Sequence, residues 1–278
     1  MGRSCVAFAP GHISGYFKRI DGDSVQTTGS LGAGIVIDKG VTVSMREARE
    51  TSVTIGDGTT DPWLILGILS GLGVKAEVRV TVGMPVGAGF GMSAAGLLAT
   101  YYAANAVFQL GLDPLEIAAL AHSREVTHGN GLGDVAAAAG GGLVVRSFPG
   151  ISGVTSRIYP EDEIWTITFG GIPTKDVITS KEKMRRVTAA FPEEEPSTLA
   201  QFMENSASFA EKSGLLTQEI RPILAACKAE GVLASMTMLG NGVFATGPRA
   251  ENVLKQFGTP VALHVSRTGP VILEETYV

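Results

Sequence analysis

The sequence is poor in charge, aromatic residues and cysteine. Charged residues make up 18% of the 278 residues and aromatic residues 6%, where about 25% charge is usual for a soluble domain. The 22 basic and 27 acidic residues give a formal net charge of −5, and no basic block interrupts the chain. A nucleic-acid partner is therefore not expected. No run of about 18 apolar residues could span a bilayer, and the N-terminus lacks the apolar segment of a signal peptide, so no membrane partner is expected either.

Cysteine use points to a reducing compartment. The two cysteines, Cys5 and Cys227, lie far apart without the spacing of metal ligands, which indicates reduced thiols and predicts a cytoplasmic protein. An apolar content of 45% and a mean hydropathy of +0.24 exclude a mainly disordered chain. The length allows one large core or two modest domains that share a cleft.

Glycine is the residue in excess. The chain has 36 glycines, where average usage of about 7% would give roughly 20. They have no three-residue period, which excludes a collagen-like chain. Most of the glycine-rich turns fall in residues 1–150, where strand-like runs alternate with helical ones and mixed or antiparallel pairing is expected. The predicted strands cover residues 34–37, 51–55, 77–82 and 143–146, and the predicted helices cover residues 61–72, 93–109 and 114–127.

Capping signals support two of these helices. Asp61 is predicted as an N-cap with Pro62 at the first helical position. Asp113 and Glu116 have the spacing of a capping box, in which each side chain bonds the other residue's backbone amide. A turn-rich stretch at residues 147–150 predicts the boundary between two halves, residues 1–150 and 151–278.

The second half mixes helices and strands in an order that predicts an α+β sandwich. Strands are predicted at residues 164–169, 233–238, 243–246 and 261–265, and helices at residues 180–190, 197–213, 217–230 and 250–257.

A glycine-rich loop at residues 84–95 joins a predicted strand to the long helix that begins near Ser93. Glycine backbones can turn their amides inward around an anion, and the helix N-terminus adds roughly half a positive charge, so phosphate is the expected occupant. The loop lacks the Gly-Lys-Ser/Thr of a Walker A motif and the spacing of a dinucleotide fingerprint. A tight structural turn is the alternative interpretation.

This loop resembles the phosphate loop of the GHMP kinases. Two further segments agree in the family's order: residues 9–12 (Ala-Pro-Gly-His) resemble the first motif, and residues 237–244 resemble the glycine-rich third motif. The resemblance implies an α+β, two-domain GHMP kinase fold, with an N-terminal half like ribosomal S5 domain 2 and a ferredoxin-like α/β sandwich as C-terminal half. It also implies ATP as cofactor, bound by Pro85, Gly87, Ala88, Gly89, Gly91, Met92, Ser93, Ala94 and Ala95.

The segment from Glu125 to Asp134 resembles the mevalonate kinase segment in which a helical Glu binds Mg²⁺ and an Asp acts as general base. The resemblance implies Mg²⁺ as a second cofactor and catalytic roles for Asp134, Glu125 and Ser93, with Ser93 and Glu125 at the metal. Phosphoryl transfer needs such a pair of carboxylates, one at the metal and one at the acceptor hydroxyl. A surface Glu and a turn Asp are the alternative interpretation of the two carboxylates. Ser93 can also be the N-cap of the helix, and this role is compatible with a ligand contact.

The sequence departs from the family at His12, where mevalonate kinases have a lysine that helps to activate the base. A histidine does not guarantee the same fixed charge. Either Asp134 works without that partner, or His12 has another purpose such as substrate contact. Lys18 and Arg19 are nearby alternatives for the cation.

Within the superfamily, residues 9–17 and 29–34 resemble those of the archaeal pantoate kinases, which phosphorylate the primary hydroxyl of pantoate on the route to coenzyme A. Pantoate carries a carboxylate, two hydroxyls and a gem-dimethyl carbon, so its site needs a cation, hydroxyl partners and an apolar wall. Arg146 is predicted to bind the carboxylate, unless it forms a salt bridge at the rim. Ser30 and His122 are predicted to bind the hydroxyls. The competing roles are a turn residue for Ser30 and a structural residue for His122, which is three residues before Glu125 and shares its helix face.

Two other functions remain open at this point. One is a GHMP kinase that acts on homoserine, shikimate, mevalonate or a similar alcohol, and the other is a non-catalytic nucleotide-binding regulator of the same fold. Apolar richness and low charge also make a homodimer plausible.

Overall fold

The computed structural model describes residues 2–56, 58, 60–129, 131–172, 177 and 180–277. The strands are β1 (Arg3–Ile20), β2 (Gly29–Glu47), β3 (Ser52–Ile55), β4 (Ala76–Val82), β5 (Leu143–Arg146), β6 (Val154–Ile158), β7 (Ile164–Gly171), β8 (Leu233–Met236), β9 (Gly240–Thr246), β10 (Val261–Leu263) and β11 (Val271–Tyr277). The helices are α1 (Trp63–Leu72), α2 (Met92–Phe108), α3 (Pro114–His128), α4 (Asp134–Ala138), α5 (Lys181–Ala189), α6 (Leu199–Ser213), α7 (Arg221–Ala229) and α8 (Ala250–Leu254).

The first sheet is built on the two long strands β1 and β2. Its order is β11-β1-β2-β4-β3, with β5 paired to β2 and β6 paired to β5. All pairs are antiparallel except β3 with β4, so the predicted mixed pairing is confirmed. Strand β2 pairs with β1 along one edge and with two strands along the other. Residues 41–47 pair with β4, and residues 32–35 pair with β5.

The second sheet has the order β10-β7-β9-β8 and is antiparallel. Helices α6 and α7 pack against it through side chains that are buried on one face. The predicted α+β class is confirmed. Strands β6 and β11 follow residue 150 in the chain and pair with the first sheet, and the division of the chain at residue 150 stays a prediction.

Helix α2 lies at the centre of the first half. Eleven of its 17 residues are buried, because its sequence is apolar around nearly the whole circumference. Small side chains such as Ala95 and Ala99 let it approach β1 and β2 closely. Its N-terminus is therefore held rigidly where the glycine-rich loop ends.

Two of the predicted helix starts are tested directly by backbone contacts. The capping box of Asp113 and Glu116 is confirmed, since each side chain accepts the other's backbone amide at 2.8 and 2.9 Å. Helix α1 begins at Trp63, two residues after the predicted N-cap, although the Trp63 amide still donates to Asp61 Oδ1 at 3.1 Å.

The two cysteines and the helices bear on the sequence predictions. Cys5 and Cys227 are buried and free. None of the helices within the described ranges is long and apolar enough to cross a membrane. Residues 264–266 connect the two sheets, because His264 O accepts from Asp38 N at 2.9 Å and Ser266 N donates to Val36 O at 2.8 Å.

Candidate active site

The three glycine-rich segments meet at the loop before α2. His12 N in the first segment donates to Phe90 O at 2.9 Å. From the other side, Thr237 Oγ1 in the third segment donates to Ala88 O at 3.2 Å. The loop is thus fixed by one hydrogen bond from each half of the chain, and its shape is set before any ligand arrives.

The loop ends at Gly91, which is the N-cap of α2 and has φ +66°. A Cβ at this position would lie 2.9 Å from His12 N, so only glycine fits both the left-handed backbone and the close approach. Ala95 N is the first amide bonded within the helix, to Gly91 O at 3.0 Å. The amides of Met92, Ser93 and Ala94 therefore have no intrahelical acceptor, which makes this helix end an anion site.

A cavity of about 100 Å³ lies against this helix end. It is lined by Ser14, Phe17, Ser30, Gly87, Gly89, Gly91, Met92, Ser93, Gly131, Leu132, Gly133, Asp134, Arg146, Met238 and Leu239. Seven predicted site residues outside or at the end of the loop thus divide into two groups. Ser93, Asp134, Arg146 and Ser30 line the cavity, whereas Glu125, His122 and His12 are buried behind its wall.

Among the predicted loop residues, Gly87, Gly89, Gly91, Met92 and Ser93 line the cavity. Ala88, Ala94 and Ala95 are buried in the core, and Pro85 is exposed. Ser93 is the second residue of α2 and not its N-cap, because Gly91 has that position. The prediction that Ser93 is also the N-cap of this helix is therefore wrong.

Asp134 is the first residue of α4 and receives a hydrogen bond from His12, with 2.7 Å between Nδ1 and Oδ1. Burial acts to raise the pKa of Asp134, but the hydrogen bond from His12, the positive charge of Arg146 and a hydrogen bond from Ser14 hold the pKa below its usual range. The side chain of Asp134 remains 28% exposed toward the cavity. It is an ionised carboxylate with one oxygen oriented by the protein.

His12 is 1% exposed, and its other ring nitrogen, Nε2, has no hydrogen-bond partner. Burial lowers the pKa of His12 despite the nearby carboxylate of Asp134, so the ring is a neutral donor at neutral pH. His12 does not line the cavity. The geometry puts it behind Asp134, which differs from the substrate contact predicted from the sequence.

Glu125 is 1% exposed, and neither of its carboxylate oxygens has a hydrogen-bond partner. Burial raises the pKa of Glu125. Gly131 separates this carboxylate from Asp134, because a Cβ on Gly131 would lie 2.4 Å from Glu125 Oε1 and 3.2 Å from Asp134 Oδ2. Two carboxylates therefore approach one point at the cavity wall, and Glu125 is not the surface residue of the competing interpretation.

Arg146 ends β5 and is 2% exposed. It donates to Gly133 O at 2.8 Å, while its Nε has no partner. Its guanidinium acts electrostatically on both Asp134 and Glu125. The rim salt bridge considered for Arg146 is wrong, because the side chain is buried in the cavity wall, where it provides the fixed positive charge.

Ser30 and His122 lie on the same side of the cavity. Ser30 is a buried residue of β2, paired with Arg19 of β1, and not a turn residue. His122 Nε2 donates to Thr28 O at 3.0 Å, and its Nδ1 lies 3.5 Å from Glu125 Oε2. The predicted shared helix face of His122 and Glu125 is thus confirmed, although His122 stands behind the cavity wall.

The alternative cations lie elsewhere. Arg19 pairs with Asp21 at 2.7 Å, and neither Lys18 nor Arg19 lines the cavity. Sequence reasoning missed several lining residues, of which Ser14 is the most informative. It lies two residues after His12 in β1, and the alternation of strand side chains would have placed both on the same face.

A second, mostly apolar cleft of about 600 Å³ adjoins the cavity. It shares Gly87, Met92 and Ser93 with the first cavity, and its other walls include Ile55, Trp63, Val80, Leu97 and Ile172. An apolar cleft of this size suits a flat aromatic ring. The anion site at the α2 N-terminus lies between the two spaces.

The fold and the site define a GHMP-type small-molecule kinase, and comparison with known proteins agrees. The family described as the N-terminal domain of GHMP kinases matches residues 64–142, which include the phosphate loop, Glu125 and Asp134. A solved structure described as a phosphotransferase related to the CoA biosynthesis pathway superposes with a TM-score of 0.80 at 27% identity, covering 98% of both chains. The homoserine kinase of Cytophaga hutchinsonii shares the fold, with a TM-score of 0.61 at 19% identity over 97% of both chains.

Comparison with a relative in sequence shows to which family of GHMP kinases the chain belongs. The pantoate kinase of Methanospirillum hungatei is 43% identical over 96% of each chain. The chain therefore belongs to the pantoate kinase family of the GHMP kinases.

Proposed function

We propose that this protein transfers the γ-phosphoryl group of ATP to the primary hydroxyl of pantoate and forms 4-phosphopantoate, a step of archaeal coenzyme A biosynthesis. The observation that carries the proposal is the pair Asp134 and Arg146 in one cavity at the mouth of the phosphate loop. An ionised carboxylate suits a hydroxyl to be activated, and a buried cation with a free Nε suits a carboxylate to be held. The relatives described as pantoate kinases support the same acceptor.

The acceptor has a complementary surface in this cavity. Arg146 is the group we assign to the carboxylate of pantoate, and Ser30 is the group we assign to its secondary hydroxyl. Phe17, Leu132 and Met238 provide apolar wall for the gem-dimethyl carbon. Homoserine carries an ammonium group, and the nearby charge of Arg146 disfavours it, so the wall and the cation together favour pantoate.

The nucleotide is assigned to the adjoining apolar cleft, with its phosphates on the free amides of Met92, Ser93 and Ala94. That arrangement directs the terminal phosphate toward the cavity that holds Asp134, since both spaces share the α2 N-terminus. Helix-end amides stabilise the phosphate oxygens without a proton transfer.

Asp134 orients the primary hydroxyl and accepts its proton. As the hydroxyl oxygen forms its bond to the γ-phosphorus, the bond between that phosphorus and the β–γ bridging oxygen breaks, and ADP leaves with the bridging electrons. His12 keeps Asp134 in position with its Nδ1 hydrogen bond. Because His12 is neutral, we assign to Arg146 the fixed positive charge that the missing family lysine would supply.

Mg²⁺ fits the buried carboxylate of Glu125, because neither of its oxygens has a hydrogen-bond partner and His122 Nδ1 lies 3.5 Å from Oε2. Glu125 and the Ser93 hydroxyl are the groups we assign to it, and the bound ion neutralises charge on the transferred phosphate. Across the described ranges, no group of three His, Cys, Asp or Glu residues could hold a metal. Mg²⁺ usually takes one or two carboxylates and completes its shell with water and phosphate.

The proposal is tested by ADP release with ATP, Mg²⁺ and a panel of pantoate, homoserine, shikimate and mevalonate. We expect turnover with pantoate and at least 100-fold lower kcat/KM with the other three. Turnover with another member of the panel instead of pantoate would show that the proposed acceptor is wrong and that the protein is still a small-molecule kinase. ATP binding without transfer to any of them would support the regulator instead. The cytoplasmic location and the homodimer stay predictions.

A further inference from the structure

Arg157 lies in β6, at the end of α4 that is remote from Asp134. Its Nη1 donates to Ala137 O at 3.0 Å and to Gly141 O at 2.6 Å, and its Nη2 donates to Ala136 O at 3.1 Å. One guanidinium thus satisfies carbonyls at the end of α4 and in the turn that follows. A cation at this end also complements the helix dipole.

Helix α4 is too short to fix its own orientation. It has five residues, a rise of about 7.5 Å, and helices of this length are unstable alone. Arg146 donates to Gly133 O, directly before the helix, and Arg157 binds the other end. Both arginines belong to the hairpin of β5 and β6. The hairpin therefore holds α4 from two ends, and Asp134 is its first residue.

The glycine triplet at residues 140–142 has a role in this arrangement. A Cβ on Gly140 would lie 2.8 Å from Arg157 Cζ and 3.0 Å from Arg157 Nε. A side chain at this position would displace the guanidinium from the three carbonyls. Gly140 is thus part of the support of α4 and not of the anion site, which lies at the other end of the helix.

We propose that Arg157 is a positioning residue, which fixes the carboxylate of Asp134 against His12 and the acceptor hydroxyl through helix α4. It touches neither the cavity nor a reacting atom. The proposal rests on the role of Asp134 in the proposed function. Misplacement of a reacting group by about 1 Å costs on the order of 100-fold in rate, so a loose α4 should reduce kcat much more than substrate affinity.

The test compares Arg157→Met, which keeps bulk but no donors, with Arg157→Lys, which keeps the charge but not the fork. Arg267→Met is the matched control, because the backbone of Arg267 lies beside the same triplet and its Nη2 pairs with Glu161 on the surface at 2.9 Å. We expect Arg157→Met to lower kcat about 10- to 100-fold while KM for pantoate and for ATP stays within about twofold. Arg157→Lys should recover part of the loss, and the control should retain kcat.

A second readout does not depend on turnover. His12 is one of four histidines, and its Nδ1 hydrogen bond reports the position of Asp134. We expect Arg157→Met to shift the ring ¹⁵N and ¹H signals of His12 in the free protein, and Arg267→Met to leave them unchanged. Unchanged His12 signals in a folded Arg157→Met protein would overturn the proposal, as would an unchanged kcat. Absence of pantoate turnover by the wild-type protein would instead count against the proposed function, while the His12 signals still decide the role of Arg157.

Discussion

At the scale of single residues, the buried carboxylate of Glu125 lowers the stability of the fold when it is ionised. Its two oxygens are buried without partners, and burial raises its pKa. A carboxyl group with a raised pKa in the folded state stabilises the protein below its unfolded pKa, and that contribution is lost as the pH rises through the folded pKa. Ionisation of Glu125 therefore lowers the free energy of unfolding, and we expect a bound cation to offset that loss.

Replacement of Glu125 by glutamine tests whether its carboxylate lowers stability and supports activity. We expect Glu125→Gln to raise the free energy of unfolding by about 1–2 kcal/mol at neutral pH without Mg²⁺, which is a rise of a few degrees in Tm. The same variant should lose at least 100-fold in kcat. Thermal unfolding and ADP release measure the two effects, with Glu211→Gln on the exposed face of α6 as control. A lower Tm for Glu125→Gln would contradict the electrostatic explanation.

The His12 hydrogen bond sets the protonation of Asp134. Burial alone would raise the pKa of Asp134, and His12 with Arg146 lowers it. A carboxylate with a lowered pKa contributes stability above its unfolded pKa, and this is lost as the pH falls through the folded pKa. Removal of the donor therefore lowers the stability at neutral pH, and it moves the protonation of Asp134 to higher pH.

We expect His12→Leu to move the acid limb of the kcat/KM profile to higher pH and to reduce activity more at acid than at alkaline pH. His12→Asn keeps an N–H donor near the position of Nδ1 and should shift the limb less. Measurement of kcat/KM against pH for the three proteins distinguishes these cases. An identical acid limb in all of them would mean that His12 does not act through Asp134.

Residue chemistry predicted Asp134, Arg146 and Ser30 for one site, and the structure brings their side chains to one cavity. The resemblance pointed to position 12 as a partner of the base, but the role of His12 stayed open in the sequence, because it is 122 positions from Asp134 and only the tertiary fold shows their hydrogen bond. Strand alternation puts Ser14 on the same face as His12, but β1 itself was not predicted, so Ser14 was missed. The supporting role of Arg157 has no local sequence signal, since it depends on three carbonyls of another element.

At the scale of elements, α2 connects the two spaces of the site. Gly96 lines the apolar cleft, and a Cβ at this position would meet no atom within 4 Å. We expect Gly96→Ala to stabilise the helix by up to about 1 kcal/mol with little effect on KM for ATP. Gly96→Leu fills the cleft and should raise KM for ATP at least tenfold while KM for pantoate stays within about twofold. Steady-state kinetics with both substrates checks this prediction. An equal KM for ATP in both variants would contradict the assignment of the nucleotide to the cleft.

Helices were more predictable than strands. Capping residues such as Asp113 mark where a helix begins, and α3 ends at His128, one residue beyond the prediction. Strand β1 was not predicted, because Pro10, Gly11 and Gly15 interrupt its apolar alternation. The structure accommodates them with register shifts at Pro10/Gly11 and Ser14/Tyr16, where the strand changes its pairing and still continues.

At the scale of the whole molecule, the two halves meet on the phosphate loop through Thr237. Its side chain is buried and donates to Ala88 O. We expect Thr237→Val to cost about 1–2 kcal/mol of unfolding free energy and to raise KM for ATP several-fold, because the loop loses its contact from the second half. Thr166→Val is the matched control, since Thr166 is also buried and donates to Val243 O within the second sheet. A similar loss of stability with unchanged KM for ATP is expected there, and equal kinetics in both variants would contradict a role for Thr237 in the loop.

The connection between the sheets was outside the reach of sequence patterns. Strand β11 returns to pair with β1, and residues 264–266 bond to β2 and to the glycine triplet. Pairings over such sequence separations leave no periodic signal. The three glycine-rich segments nevertheless identified the fold, because their order resembles that of the GHMP kinase motifs.

The most direct measurement is the transfer of the γ-phosphoryl group from ATP to pantoate by the wild-type protein and by Asp134→Asn, followed by ³¹P NMR of the product. Asparagine keeps the shape of the side chain and removes the proton acceptor. We predict a phosphate monoester at the primary hydroxyl of pantoate with the wild-type protein, and a loss of at least 1,000-fold in kcat with little change in KM for Asp134→Asn. Equal turnover by the two proteins, or no phosphorylated pantoate with the wild-type protein, would contradict the proposed function.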